Sequence, residues 1–122
     1  MIFGDGSQTR CFTYVEDTVR GTFLAGFSEQ AEGLAINLGN PAEHSIGELA
    51  RRIRTLVGSR SEIVLQPYEA YDGPGFEDTR RRVPDITRAR DVLGWEPTVD
   101  LDTGLERTLE WWKQADRDRN GR

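Results

Sequence analysis

The chain has 122 residues, 36% of them hydrophobic and 30% charged, with a formal net charge of −5. That length fits one domain with one hydrophobic core, the composition is that of a globular chain rather than a disordered one, and no apolar run approaches the roughly 20 residues that cross a bilayer. The acidic balance excludes a broad electrostatic footprint for nucleic acid, so any anion contacts must be local.

From the N-terminus, MIFGDGSQ lacks the basic start, apolar stretch and small-residue cleavage site of a secretory signal. Cys11 is the one cysteine and cannot form an intramolecular disulfide, so a reducing cytoplasm is the simplest setting. Residues 10 to 15, RCFTYV, read as a strand after the turn-prone GDGS. From Glu16 the period changes: Val19, Phe23 and Phe27 recur at helical spacing, and Glu16 and Asp17 place negative charge at the positive end of a helix over about 16 to 30, with Gly33 at its exit. LAINLG, 34 to 39, reads as a short apolar strand. Ser45 and Glu48 then form a capping box for a helix whose Ile46, Leu49, Ala50, Ile53, Leu56 and Val57 make one apolar stripe, ended by Gly58.

EIVLQPY, 62 to 68, reads as a third strand. Periodicity is then lost from Glu69 to about Val83, a loop long enough to be a binding candidate on length alone. Asp85 is expected to cap a short helix with Ile86, Ala89 and Leu93 inward, closed by Gly94. A last helix starts near Leu101 with Leu101, Leu105, Leu109 and Trp112 on its buried face, and the polar tail QADRDRNGR is expected to fray. The expected fold is a small mixed α/β domain with three or four helices and a few short strands.

Candidate chemistry is sparse. His44 is the lone histidine, beside the capping Ser45, and reads as a turn or cap residue rather than a base; Cys11 reads as a small core residue. No Cys/His cluster has metal-ligand spacing, so no metal site is expected, and GDGSQ lacks both the Walker Lys-Ser/Thr and the full dinucleotide fingerprint. Fifteen of the sixteen basic residues are arginine, whose planar fork suits bidentate phosphate recognition. Arg10 closes one segment at a strand start and Arg82 closes the long loop before a helix, so one anion between them would account for both. The competing reading leaves them solvated or pairs them with Glu77, Asp78 or Asp17.

Quoted in order, GDGSQTRCFTYVEDTVRG, INLGNPAEHSIGELA and RRVPDITRARDVLGWEPTVDLDTGLERTLEWW resemble the extended short-chain dehydrogenase/reductase family. The resemblance is to its NAD-dependent nucleotide-sugar epimerases, dehydratases and decarboxylases, above all the UDP-glucuronate decarboxylases. It implies that residues 1 to 122 are the C-terminal substrate-binding lobe, lacking the N-terminal Rossmann domain that holds NAD and supplies a Tyr-x-x-x-Lys pair. The sequence has neither motif: its lysine, Lys113, follows Leu109 where the pair requires tyrosine, so no cofactor is expected to bind this chain alone. The resemblance assigns recognition of a UDP- or dTDP-linked sugar to Ile2 and Phe3 near the base, Arg10 and Arg82 on the diphosphate, and Asp85 as part cap, part site, with no catalytic residue here. Arg80 and Arg81 are expected to be solvated. Relatives carry Ser or Ala at the Cys11 position and Asp-Asp-Pro where this chain has GFEDTRRRV. Two other functions stay open: a stand-alone nucleotide-sugar-binding module, and a non-catalytic remnant whose exposed face pairs with itself. A Rossmann-domain partner chain or a homodimer is the expected protein partner, and neither nucleic acid nor membrane is expected.

Overall fold

The computed structural model describes residues 1–68 and 78–120; the first part of the long loop, including Tyr71 and Glu77, lies outside them. In chain order the elements are β1 (Ile2–Phe3), β2 (Thr9–Cys11), α1 (Val15–Phe27), a 3₁₀ turn (Glu29–Ala31), β3 (Glu43–Ser45), α2 (Ile46–Leu56), β4 (Leu65–Gln66), α3 (Thr87–Leu93) and α4 (Leu101–Asn120). The strands form two small sheets. β1 pairs in parallel with β4, matching Ile2 to Leu65, and β2 pairs antiparallel with β3, matching Arg10 to His44. Residues 80 to 82 run beside β2 through a parallel bridge between Thr9 and Arg81, with the Thr9 N–H donating to the Arg80 carbonyl at 2.9 Å.

The core is built around Trp95. Its ring is fully buried against Ile86 and Ala89 of the α3 region, with Ile36, Leu38 and Leu93 closing around it. Nε1 of Trp95 donates to the Asp17 carbonyl at 3.0 Å, which fastens α3 to the first turn of α1. Gly21, one turn along α1, allows the approach: a Cβ there would lie 2.8 Å from both Trp95 Nε1 and a Leu38 methyl. Asp17 itself is buried. One carboxylate oxygen accepts from the Thr98 and Val99 N–H groups, each at 2.9 Å, and the other from Thr98 Oγ1 and Arg20.

Several expectations are corrected by these contacts. The strand expected at 10 to 15 is Thr9–Cys11, and the one expected at 62 to 68 shrinks to Leu65–Gln66, because each element ends where its partner does. Residues 34 to 39 form no strand: Ile36 and Leu38 pack on the core cluster, yet among the described residues no neighbouring strand offers a ladder. Asp17 serves the incoming segment at 98 and 99 rather than its own helix end. Val15, Val19, Phe23 and Phe27 form a stripe on α1 that faces solvent, each more than 60% exposed, while the buried face carries Asp17 and Gly21. Trp112 is likewise exposed rather than inside, and the tail stays helical through Asn120. The cap at Ser45 holds, its Oγ accepting from the Glu48 N–H at 3.1 Å, but the Glu48 carboxylate turns to Arg52 instead of completing a box. α3 ends at Gly94 as expected, and among the described residues four α-helices with short strands make the expected mixed α/β class.

Candidate functional site

Strand alternation decides which arginines can meet. Side chains at successive positions point to opposite faces, so Thr9 and Cys11 share one face of β2 and Arg10 takes the other. Arg81, bridged to Thr9, falls on the first face and pairs with Glu43 through Nε at 3.1 Å and NH2 at 2.6 Å. That contact draws the Glu43 carboxyl below its usual range, while the Arg81 side chain stays largely in solvent, as expected. Arg82, one residue on, falls on the face of Arg10. Arg80 is exposed, and its side chain makes no hydrogen bond or ion pair among the described residues.

Arg10 and Arg82 line one open cleft of about 740 Å³ with Cys11, Phe12, Thr13, Asn37, Gly39, Pro84 and Asp85. Asn37, Leu38 and Gly39, from the run at 34 to 39, line its floor. Gly39 is required there by close approach, since a Cβ would sit 2.8 Å from the Pro84 ring, and the Asn40 N–H donates to Thr13 Oγ1 at 2.8 Å. Asp85 stands at the rim. Its carboxylate accepts from the Thr87 N–H at 2.9 Å, and hydrogen bonding by Thr87 holds its carboxyl below the usual range. It thus turns the chain into α3 from just outside the helix, whose N-cap position is Ile86. No ion pair joins Asp85 to Arg82 among the described residues.

The two arginines are held differently. Arg10 NH1 donates to the carbonyls of Thr9 and Thr79, both at 2.7 Å, and NH2 donates to Asp78 at 2.5 Å. The Arg82 guanidinium makes no hydrogen bond or ion pair among the described residues, leaving one fixed and one unengaged cation on the same wall. Ile2 and Phe3 do not line this cleft. Ile2 is buried in the β1–β4 sheet, and the Phe3 carbonyl accepts from Gln8 Nε2 at 2.9 Å. His44 sits on β3 with Nδ1 4.0 Å from the Glu48 carboxylate, outside the cleft, and Cys11 lines the cleft edge with its thiol pushed up by burial and by Glu43. Asn37 and Thr13 escaped the sequence reading. An asparagine inside LAINLG gives no signal of which face it will occupy until the floor is in place.

The sequence profile of the GDP-mannose 4,6 dehydratase family matches residues 1–108. The chain belongs to that family. It is 45% identical over 113 residues to UDP-glucuronic acid decarboxylase 1 of Danio rerio, an alignment covering 93% of this chain and 25% of the relative. Among solved structures, an epimerase from Methanothermobacter thermautotrophicus superposes with a TM-score of 0.83 at 40% identity, covering 93% of this chain and 32% of that one. A Bacillus cereus UDP-glucuronic acid 4-epimerase, solved with UDP-glucuronic acid and NAD, gives a TM-score of 0.78 at 33% identity over 93% of this chain and 35% of that one. The chain therefore matches part of NAD-dependent nucleotide-sugar enzymes and spans a quarter to about a third of the length of these relatives.

The turn at Gly4 to Gly6 does not fit the pyrophosphate of NAD. A dinucleotide cradle needs a glycine turn opening directly into a helix N-terminus. Gly4 and Gly6 do adopt left-handed φ of 76°, but the turn between them is filled from within. A Cβ on Gly4 would meet the Tyr68 ring at 2.6 Å, Gly47 packs on Gly6, and the chain continues into β2. Among the described residues no helix is long and apolar enough to cross a membrane, and no group of three His, Cys, Asp or Glu is gathered as for a metal.

Proposed function

We propose that this chain is the substrate-binding lobe of a nucleotide-sugar epimerase, dehydratase or decarboxylase, and that its cleft binds the diphosphate of a UDP- or dTDP-linked sugar. The observation that carries the reading is the convergence of Arg10 and Arg82 on one cleft face while Arg81 is turned away and neutralised by Glu43. A diphosphate offers two anionic centres, and two guanidinium groups on one wall match them by charge-assisted hydrogen bonds. Contacts of this kind contribute roughly 1.5 to 3 kcal/mol each, which limits the lobe alone to weak, about millimolar to tens-of-micromolar binding. Ile2 and Phe3 belong to this proposal as the wall nearest the base, reached through main-chain groups rather than through the cleft lining. Oxidation and reduction of the sugar need groups that this sequence lacks, so the chain by itself is inactive. The exposed apolar stripe of α1 supports a protein partner on that face, which we assign to the NAD-holding domain.

Isothermal titration of the chain with UDP tests the reading. The wild type is expected to bind, the Arg10→Ala, Arg82→Ala double variant to lose binding, and Arg81→Ala to bind as the wild type does. Equal loss in Arg81→Ala would mean that general charge, not the cleft, attracts the nucleotide. A folded wild type that gives no heat at millimolar UDP would sink the proposal.

A further inference from the structure

The contacts of Arg10 are uneven around its guanidinium. NH1 has given both its hydrogens to carbonyl oxygens, and NH2 has given one to Asp78 Oδ1. Nε has no acceptor among the described residues and NH2 keeps one hydrogen beyond its bond to Asp78; Nε and NH2 form an edge that arginine presents as a fork. The anchor is itself anchored. Asp78 Oδ2 accepts from the Tyr68 hydroxyl at 2.9 Å, that hydroxyl accepts from Gln8 Nε2 at 2.8 Å, and Gln8 Nε2 also reaches the Phe3 carbonyl. Gln8 is buried, so the chain of bonds from β1 to Arg10 is held from inside the fold.

Asp78 acts on Arg10 in two opposed ways. By fixing NH2 it removes rotamer freedom that an anion would otherwise have to freeze, which favours binding. By placing a carboxylate 2.5 Å from the same group it cancels charge. With Asp85 at the rim, the two arginines face two carboxylates, and the cleft has no formal excess of positive charge.

We propose that Asp78 sets the anion affinity of the cleft: it holds the Arg10 guanidinium with the Nε–NH2 edge open for a phosphoryl oxygen and at the same time weakens the attraction of that edge. This rests on the cleft being a phosphate site. Asp78→Asn separates the two effects, because the amide oxygen can still accept from Arg10 or Tyr68 while the charge is gone. Asp78→Ala removes both.

The experiment is titration of the wild type, Asp78→Asn and Asp78→Ala chains with UDP, with an ultraviolet titration of the Tyr68 phenol on the same samples and Tyr68→Phe as the blank. Asp78→Asn is expected to bind UDP roughly three- to tenfold more tightly than the wild type, the size of one like charge removed at a water-exposed site. Asp78→Ala is expected to bind less tightly than Asp78→Asn. Burial first, then the hydrogen bond and charge of Asp78, push the Tyr68 phenol above its usual value, so its titration should move down in Asp78→Asn. Equal or weaker binding by Asp78→Asn, with the phenol moved, would overturn the role given to Asp78 and leave the phosphate site standing. An unmoved phenol would overturn it by removing the contact. No binding by the wild type, with the phenol moved, would overturn the phosphate reading and this inference with it, whatever Asp78→Asn does.

Discussion

A carboxylate in the first turn of a helix ordinarily answers that helix's own unpaired N–H groups. Asp17 instead reaches across to the chain entering at Thr98 and Val99, and for that it is buried. Burial is the largest influence on its carboxyl and pushes the pKa up. The hydrogen bonds from Val99, Arg20 and Thr98 outweigh it, so the net direction is down. A carboxyl depressed in the folded state contributes stability above its unfolded value and loses it as the pH falls through the folded value. Urea unfolding should accordingly show stability falling below about pH 4, and Asp17→Asn should flatten that fall. Asp17→Ala, which strands two backbone N–H groups, is expected to cost about 3 kcal/mol by the same measurement. At this scale the sequence was partly legible: the acidic pair at 16 and 17 signalled a helix start, but which acid would turn inward depends on residues eighty positions away. Arg10 and Arg82 could be singled out for the same reason that Arg81 could not be excluded. Alternation sorts them only once the bridge to Thr9 fixes the register.

Helices were more legible than strands because their periodicity is internal. α2, α3 and α4 begin or end within a residue or two of Ser45, Gly94 and Leu101, marks that need no partner to be read. A strand is completed by its neighbour, so LAINLG, with a good alternating pattern, forms no strand among the described residues. Apolar period alone located α1 without telling its faces, where a glycine marks the packed side and phenylalanines the open one. This makes Gly21→Ala informative. Alanine is the better helix former by about 1 kcal/mol, yet its methyl would press on Trp95 and Leu38. The expected result is net destabilisation of about 1 to 3 kcal/mol with a shifted Trp95 emission, read in a Trp111→Phe, Trp112→Phe background. Stabilisation would mean that α1 can slide away from the indole.

As a whole the molecule hides few side chains: among the described residues only Ile2, Ala31, Ile86, Ala89 and Trp95 are buried hydrophobics, while Trp111, Trp112 and the α1 phenylalanines lie open. Stability of the chain alone is expected to fall below about 5 kcal/mol in urea titration, under the usual range for a domain. Native chain should also enhance the fluorescence of a hydrophobic dye, and Phe23→Glu with Phe27→Glu should reduce that signal without lowering the unfolding midpoint, since neither ring supports the core. The run at 34 to 39 adds a kinetic signature. Ile36 and Leu38 are packed on the Trp95 cluster, yet the amides of residues 35 to 39 find no backbone acceptor among the described residues. In deuterated solvent those protons should exchange early, alongside loop amides, although the side chains around them are among the better shielded in the chain. Protection from exchange here would therefore report the arrival of a neighbouring strand rather than the integrity of the lobe.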